Sequence, residues 1–379
     1  MDGHYELRLY DTALLLFELK SSALGLEADI LEVKGERELL PLELELTGGG
    51  ITKWLGRRVI PKNRAFVNEI LRSLGLSPND TKGIIDICKG LSLNDCYWIV
   101  PEGFTCRFLD YNLFENRFSE ILSLVAYTGV TQSDAAFSTS PELTTNGMLP
   151  KAWRFIEGDG IFLYKGGTSG FANSGKEPYS EYYASQVAEA MCLDAVHYDL
   201  ENWKGILASK CRLFTDIDTA FVPIGRIVRE GGIGAVVRHY DNLGARFAEA
   251  IRDMLVFDAL VYNEDRHFGN FGLLRDNRTG KITAPAPIFD NGNSLFSFAM
   301  TDDYANLDEY AKTRTTVYPG TTFERICATV MTHRHKDMLR KMLGFTFSRH
   351  PKLNLPEKHL AAVEKHLRKR ASQLIDMSM

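Results

Sequence analysis

The chain has 379 residues, of which 45% are hydrophobic and 25% charged, an ordinary globular composition long enough for two or three domains. Its 44 Lys/Arg against 49 Asp/Glu leave a net charge of −5, which excludes a globally basic nucleic-acid binder, and no apolar run approaches the roughly 18 residues of a membrane span. The opening Met1-Asp2-Gly3-His4 lacks the basic and apolar parts of a signal peptide, and the six cysteines form no C-x-x-C pair, so reduced thiols in a cytoplasmic protein are expected.

The charge is unevenly placed. Residues 1–50 hold eleven Asp/Glu against four Lys/Arg, net −7, and residues 331–379 hold eleven Lys/Arg against four Asp/Glu, net +7. Two solvated faces are the ordinary reading of such runs; an acidic edge and a basic end that meet different partners is the sharper one.

In chain order, Tyr5–Tyr10 alternates polar and apolar residues and predicts a strand, as does Leu40–Leu46 before the break Gly48-Gly49-Gly50. Helical spacing follows over Ala65–Leu74 and Ser119–Tyr127. Residues 1–135 are taken as an α+β accessory module. A small, hydroxylated stretch, Ser138-Thr139-Ser140-Pro141 to Gly147, predicts loop and turn, and Ala152–Ile156 with Ile161–Lys165 predicts a hairpin closed by Glu157-Gly158-Asp159-Gly160. A helix is expected over Ser180–Met191 and a strand within Gly205–Phe214, giving a β-rich part over 136–224. Gly231-Gly232-Ile233-Gly234 reads as a turn. Helices are predicted over Phe247–Val261 and Pro356–Asp376, the latter with an apolar stripe of Leu360, Val363, Leu367 and Leu374, so 225–379 reads as a helical part.

The chemistry concentrates after the helix ending at Val261. Asn263-Glu264-Asp265-Arg266-His267-Phe268-Gly269-Asn270 contains Asp-x-x-x-x-Asn, and Asp290 closes the short apolar run Pro287-Ile288-Phe289. Phosphoryl transfer needs one carboxylate to orient the attacking hydroxyl, and an amide oxygen with a second carboxylate as hard ligands for Mg²⁺ on ATP phosphates. Asp265, Asn270 and Asp290 fit these roles in order. The chemistry also asks for a cation on the phosphates held by an acidic partner. Lys165, ending a predicted strand, and Glu181, in the expected first turn of the following helix, supply the pair.

On these residues the chain resembles the HipA-like serine/threonine protein kinases, whose catalytic loop is similar to that of phosphatidylinositol 3/4-kinases; the likeness is clearest over 138–295. Asn263-Glu264-Asp265-Arg266-His267 stands where that family has Asn-Thr-Asp-x-His. The resemblance implies a two-lobed α+β kinase fold, Mg-ATP, transfer to Ser/Thr of a protein, and a DNA-binding antitoxin-like partner. The acidic start and the lack of a long apolar run lead to the expectation of no direct nucleic-acid contact and no membrane. The family's Ser-x-x-Gly-x-Gln-x-Lys phosphate loop is matched by Thr144-Thr145-Asn146-Gly147-Met148-Leu149-Pro150-Lys151. Here Gly147 and Lys151 coincide, Thr144 takes the serine position and Leu149 replaces the glutamine. Autophosphorylation at Thr144, with Thr145 and Ser138 as neighbours, is implied by position. Phe214 and Thr215 are expected at an adenine hinge on order alone. There is no G-x-G-x-x-G, and Asp290 is followed by Asn291-Gly292 rather than Phe-Gly. A phosphoinositide kinase, and a kinase-fold corepressor acting through a DNA-binding partner, are the alternatives.

Overall fold

The computed structural model describes residues 3–22, 25–131 and 139–377. It divides into two compact units: Met1–Tyr164 with Leu213–Val222 and Leu274–Thr283, and Lys165–Arg212 with Pro223–Leu273 and Ala284–Met379. The sequence expectation of parts 1–135, 136–224 and 225–379 cuts the chain elsewhere, and its first boundary lies outside the described residues.

The first unit begins with an antiparallel sheet of order β3-β2-β1-β4, formed by β1 (Gly3–Leu9), β2 (Thr12–Ser22), β3 (Gly25–Val33) and β4 (Tyr97–Pro101). Period-2 alternation places Tyr5, Leu7 and Leu9 on the buried face, with Leu7 opposite Leu15 on one side and Ile99 on the other. Four helices accompany it: α1 (Gly48–Leu55), α2 (Val67–Arg72), α3 (Thr81–Cys88) and α4 (Glu120–Thr128). Trp54, Trp98, Phe17 and Phe108 fill the core.

Two expectations change here. Leu40–Leu46 is not a strand: a short 3₁₀ turn at Arg37–Leu39 precedes it, Pro41 has no N–H to give a ladder, and Leu44 N–H turns back to Pro41 O at 3.0 Å. Gly48-Gly49-Gly50 is no break but the start of α1, capped by Thr47. Glycine is required there because a Cβ on Gly48 would lie 2.0 Å from Ala28 O, and one on Gly50 2.1 Å from Glu45 O.

Beyond α4, β5 (Lys151–Ile156) and β6 (Gly160–Lys165) are neighbours across the expected turn. In the second unit, α5 (Glu177–Ala190) leads into the antiparallel pair β7 (Tyr198–Trp203) and β8 (Ile206–Arg212). A three-stranded sheet of order β11-β10-β9, drawn mostly from the first unit's segments Leu213–Val222 and Leu274–Thr283, comes from β9 (Thr219–Pro223), β10 (Gly272–Asp276) and β11 (Ile282–Pro285). The remainder is helical: α6 (Gly232–Leu243), α7 (Ala245–Val261), α8 (Leu307–Ala311), α9 (Phe323–Val330), α10 (His333–Arg340) and α11 (Glu357–Asp376).

The glycine run at 231 also departs from expectation: Gly231, at φ 82°, caps α6, which starts at Gly232. Leu360, Val363, Leu367 and Leu374 of α11 are buried as the stripe predicts, and Arg370 donates to Ala259 O of α7 at 3.1 Å. Among the described residues no helix is long and apolar enough to cross a membrane.

Candidate active site

Five polar residues singled out in the sequence come together within the second unit. Lys165 is the last residue of β6 and is buried, as is Glu181 on α5. Because α5 starts at Glu177, Glu181 lies in the second turn rather than the first. One turn further in, its side chain is withdrawn from solvent. Lys165 Nζ donates to Glu181 Oε1 at 2.8 Å and also forms an ion pair with Asp290.

Asp290 does not end a strand. Residues 286–289 are irregular, held by one parallel bridge between Ala195 and Ile288, with Val196 N–H donating to Ile288 O at 2.8 Å and Ile288 N–H to Asp194 O at 2.9 Å. Asp290 itself adopts φ 58°, a left-handed conformation uncommon outside glycine, and its N–H donates to Tyr198 Oη at 3.1 Å. The following turn crosses the Lys165–Glu181 pair: Asn291 N–H donates to Glu181 Oε2 at 2.7 Å, and a Cβ on Gly292 would lie 3.6 Å from Lys165 Nζ. Both oxygens of Glu181 are thereby engaged.

The loop bearing Asp265 is built from the end of α7. Tyr262, at φ 53°, caps that helix and turns the chain. Asp265 N–H donates to Asn263 Oδ1 at 3.1 Å, and Asp265 O accepts from His267 N at 2.8 Å and Asn270 Nδ2 at 3.0 Å. Asn270 therefore uses its NH₂ to brace the loop and keeps Oδ1 as an oxygen donor. The carboxylate of Asp265 accepts one side-chain bond, from Asn293 Nδ2 to Oδ2 at 3.1 Å.

The charges interact. Burial disfavours the Lys165 ammonium, but the Asp290 and Glu181 carboxylates outweigh it and hold its pKa above the ordinary lysine value. Burial raises the Glu181 carboxyl against the pull of Lys165, and Asp290 adds to the rise. Asp265 is also raised, by burial first, with His267 opposing and the Asp290 charge reinforcing. One ammonium thus faces three carboxylates, an excess of negative charge that suits a cation and the cation-bearing phosphates of a nucleotide. Among the described residues no cluster of three or more His, Cys, Asp or Glu could hold a metal by itself. A donor set of one carboxylate and one amide oxygen fits Mg²⁺, which keeps most of its ligands as water or phosphate oxygen.

The other predicted residues lie in the first unit. Gly147, at φ 92°, leaves room for Lys151, whose Nζ would be 2.2 Å from a Cβ there and donates to Asn146 O at 2.9 Å. Thr144 is buried, its hydroxyl donating to Leu91 O at 2.8 Å and Pro141 O at 3.3 Å. Thr145 Oγ1 donates to Pro141 O at 2.6 Å and accepts from Trp153 Nε1 at 3.0 Å. Ser138 lies outside the described residues. Phe214 meets Phe221 edge-on at 5.5 Å, and the buried Thr215 donates to Leu93 O at 2.5 Å, so its hydroxyl points into its own unit.

Sequence reasoning assigned no role to Arg266, Asp258, Asn291, Asn293 or Tyr198. Asn291 and Asn293 follow Asp290, expected from the sequence to ligate a metal, in Asp290-Asn291-Gly292-Asn293, a polar run that could have drawn notice. Tyr198 and Asp258 carried no local signal, since only folding brings them near.

No protein-family model matches the chain. Among curated proteins it is 26% identical over 151 residues to the serine/threonine-protein kinase CtkA of Helicobacter pylori (strain J99), a stretch covering 35% of this chain and 46% of CtkA. The match thus spans less than half of that relative's length. Among solved structures, the Shewanella oneidensis MR-1 toxin–antitoxin complex of HipA, HipB and operator DNA contains a chain aligning with TM-score 0.57 at 14% identity, over 99% of this chain and 100% of its own. The crystal structure of CtkA aligns with TM-score 0.49 at 20% identity, over 61% of this chain and 90% of its own. The α+β architecture shares the fold of that Shewanella HipA chain.

Proposed function

We propose that this chain, which has the fold of HipA-like serine/threonine kinases, is a Mg-ATP-dependent protein kinase. The observation that carries the proposal is the ion pair of Lys165 with both Glu181 and Asp290, beside the loop that presents Asp265 and Asn270. In this reading Lys165, oriented by Glu181, binds phosphate oxygens. Asp265 accepts the proton of a Ser or Thr hydroxyl as that oxygen attacks the terminal phosphorus and ADP departs. Asp290 and Asn270 would hold Mg²⁺, which neutralises phosphate charge as it develops. On nucleotide binding, Lys165 would exchange the Asp290 carboxylate for phosphate oxygens, and Asp290 would turn to the metal.

The test is phosphate transfer from labelled Mg-ATP to protein substrates and, separately, to phosphoinositide vesicles. Transfer to protein that is lost in folded Asp265→Ala and Asp290→Ala supports the proposal. Full activity in either variant, or label on lipid alone, overturns it.

Two finer readings accompany this one. Autophosphorylation is proposed at Thr144; since its hydroxyl is buried and donating, the 141–151 segment must release before modification, and phosphosite mapping after incubation with Mg-ATP tests it. The Shewanella HipA was solved with HipB and operator DNA. By analogy a DNA-binding, antitoxin-like partner is proposed, with this chain alone not retarding duplex DNA in a gel-shift assay.

A further inference from the structure

The geometry points to Arg266 as the positioning residue that fixes the Asp265 loop and the Asp290 loop in one register. This inference rests on the kinase reading above. Arg266 is 1% exposed, and its guanidinium reaches four groups from three segments. Nε and Nη2 bond the two carboxylate oxygens of Asp258 on α7, each at 3.0 Å. Nη1 donates to Asn270 O at 3.2 Å and also to Phe289 O, while Nη2 donates to Asn291 Oδ1 at 2.6 Å. The backbone carbonyl of Arg266 is fixed in turn by Tyr318 Oη at 2.7 Å.

These partners adjoin three of the groups proposed to act in the reaction. Arg266 adjoins Asp265, Asn270 is an expected metal ligand, and Phe289 and Asn291 bracket Asp290. One rigid planar fork, acting with the Asn293–Asp265 and Asn270–Asp265 bonds, therefore helps to set the distance between the residue that would orient the hydroxyl and the two that would hold Mg²⁺. Regular backbone pairing contributes little on the Asp290 side, where residues 286–289 pair through a single bridge. Further ties between the two loops are Glu264 N–H to Asn293 O and Asn293 Nδ2 to Asp265 Oδ2, each at 3.1 Å. The charge balance is local: burial disfavours both Arg266 and Asp258, and each is held by the other. The pair is thus neutral as a unit, and Arg266 is turned away from phosphate binding. Lysine cannot replace it, since an ammonium is a compact charge without the fork geometry.

Arg266→Lys is the first variant, with Asn291→Ala as a second that cuts only the tie to the Asp290 side should the buried lysine fail to fold. Three readouts are taken on each: steady-state phosphorylation, the Mg²⁺ concentration for half-maximal rate, and amide hydrogen exchange of the folded protein without nucleotide. The expected result is a fall in kcat on the order of 100-fold for Arg266→Lys, as misplacement by about 1 Å produces. The Mg²⁺ requirement should rise while KM for ATP changes little, and exchange should speed up in 263–272 and 287–293 together. The inference is overturned if a folded variant keeps its Mg²⁺ requirement, or if exchange rises in one loop alone. Absence of phosphorylation in the parent protein would sink the kinase reading instead, and the exchange experiment would still decide whether Arg266 couples the two loops.

Discussion

Asn293 donates its side-chain amide to Oδ2 of Asp265 at 3.1 Å, so the turn that follows Asp290 reaches back to hold the carboxylate 28 residues before it. The bond stabilises the ionised form of a group that burial and the neighbouring Asp290 charge push toward protonation.

A pH dependence follows. The Asp265 carboxyl protonates at a higher pH than a free aspartate, so the proposed phosphorylation rate should fall on the acid side above the usual carboxylate range. Asn293→Ala removes the opposing hydrogen bond and should move that acid limb to still higher pH. A rate profile of kcat/KM whose acid limb stays put would exclude Asp265 as the titrating base.

The Lys165–Glu181 pair is buried, and removing one partner of such a pair typically costs about 3–5 kcal/mol. Lys165 keeps Asp290 in Glu181→Ala, so a loss near 3 kcal/mol is expected from urea denaturation, together with a raised KM for ATP. Lys165→Met should be less harmful to stability than to activity, because it leaves two carboxylates that can protonate.

Nucleotide binding has its own signature. Saturation at 100 times Kd stabilises a protein by about 2.7 kcal/mol, visible as a rise in Tm with Mg-ATP over ATP with EDTA. Asp290→Ala should lose most of the Mg²⁺-dependent increment while Asp265→Ala keeps it. Equal shifts in the two variants would remove Asp290 from the metal role.

In the first unit, Arg64 and Glu142 form an ion pair with both side chains wholly buried, 2.5 Å apart, and Arg64 also donates to the carbonyls of Thr145 and Lys151. Burial raises Glu142 and lowers Arg64, so desolvation is incompletely offset. Arg64→Met should cost about 3–5 kcal/mol, and Arg64→Met with Glu142→Leu distinctly less, because the single variant alone strands a charge. Denaturation midpoints of the two variants give the comparison.

Acid should also loosen the helical unit. His359 stacks on Tyr304 at 4.0 Å and His366 bonds Asp308 at 2.9 Å; burial holds both below the ordinary histidine pKa of 6.5. A depressed pKa means stability is complete above the unfolded value and declines as pH falls through it, since the unfolded chain binds the proton more readily. His359→Gln with His366→Gln should flatten the decline of Tm between pH 7 and 5, and an unchanged slope would show that other groups govern it.

Local patterns in the chain determined much of this. Period-2 alternation located β1, 3.6-residue spacing located α5, α7 and α11, and the order Lys165, Glu181, Asp265, Asn270, Asp290 named the polar set, because each signal is written within a few residues. The failures are equally physical. Alternation at Leu40–Leu46 was overruled by Pro41, and the glycine runs start helices because Gly48 and Gly50 lie against neighbouring carbonyls and Gly231 caps α6 at a positive φ.

Tertiary structure alone decided which atoms meet. That Asn291 bonds Glu181, that Asn293 bonds Asp265, and that Arg266 spans Asp258, Asn270, Phe289 and Asn291 depends on contacts between segments far apart in sequence. The even or uneven spread of charge along the chain carries no trace of them. The net charge of −5 describes the whole molecule, whereas one ammonium among three carboxylates describes the site. Only packing, which removes water and brings distant groups to about 3 Å, turns the first quantity into the second.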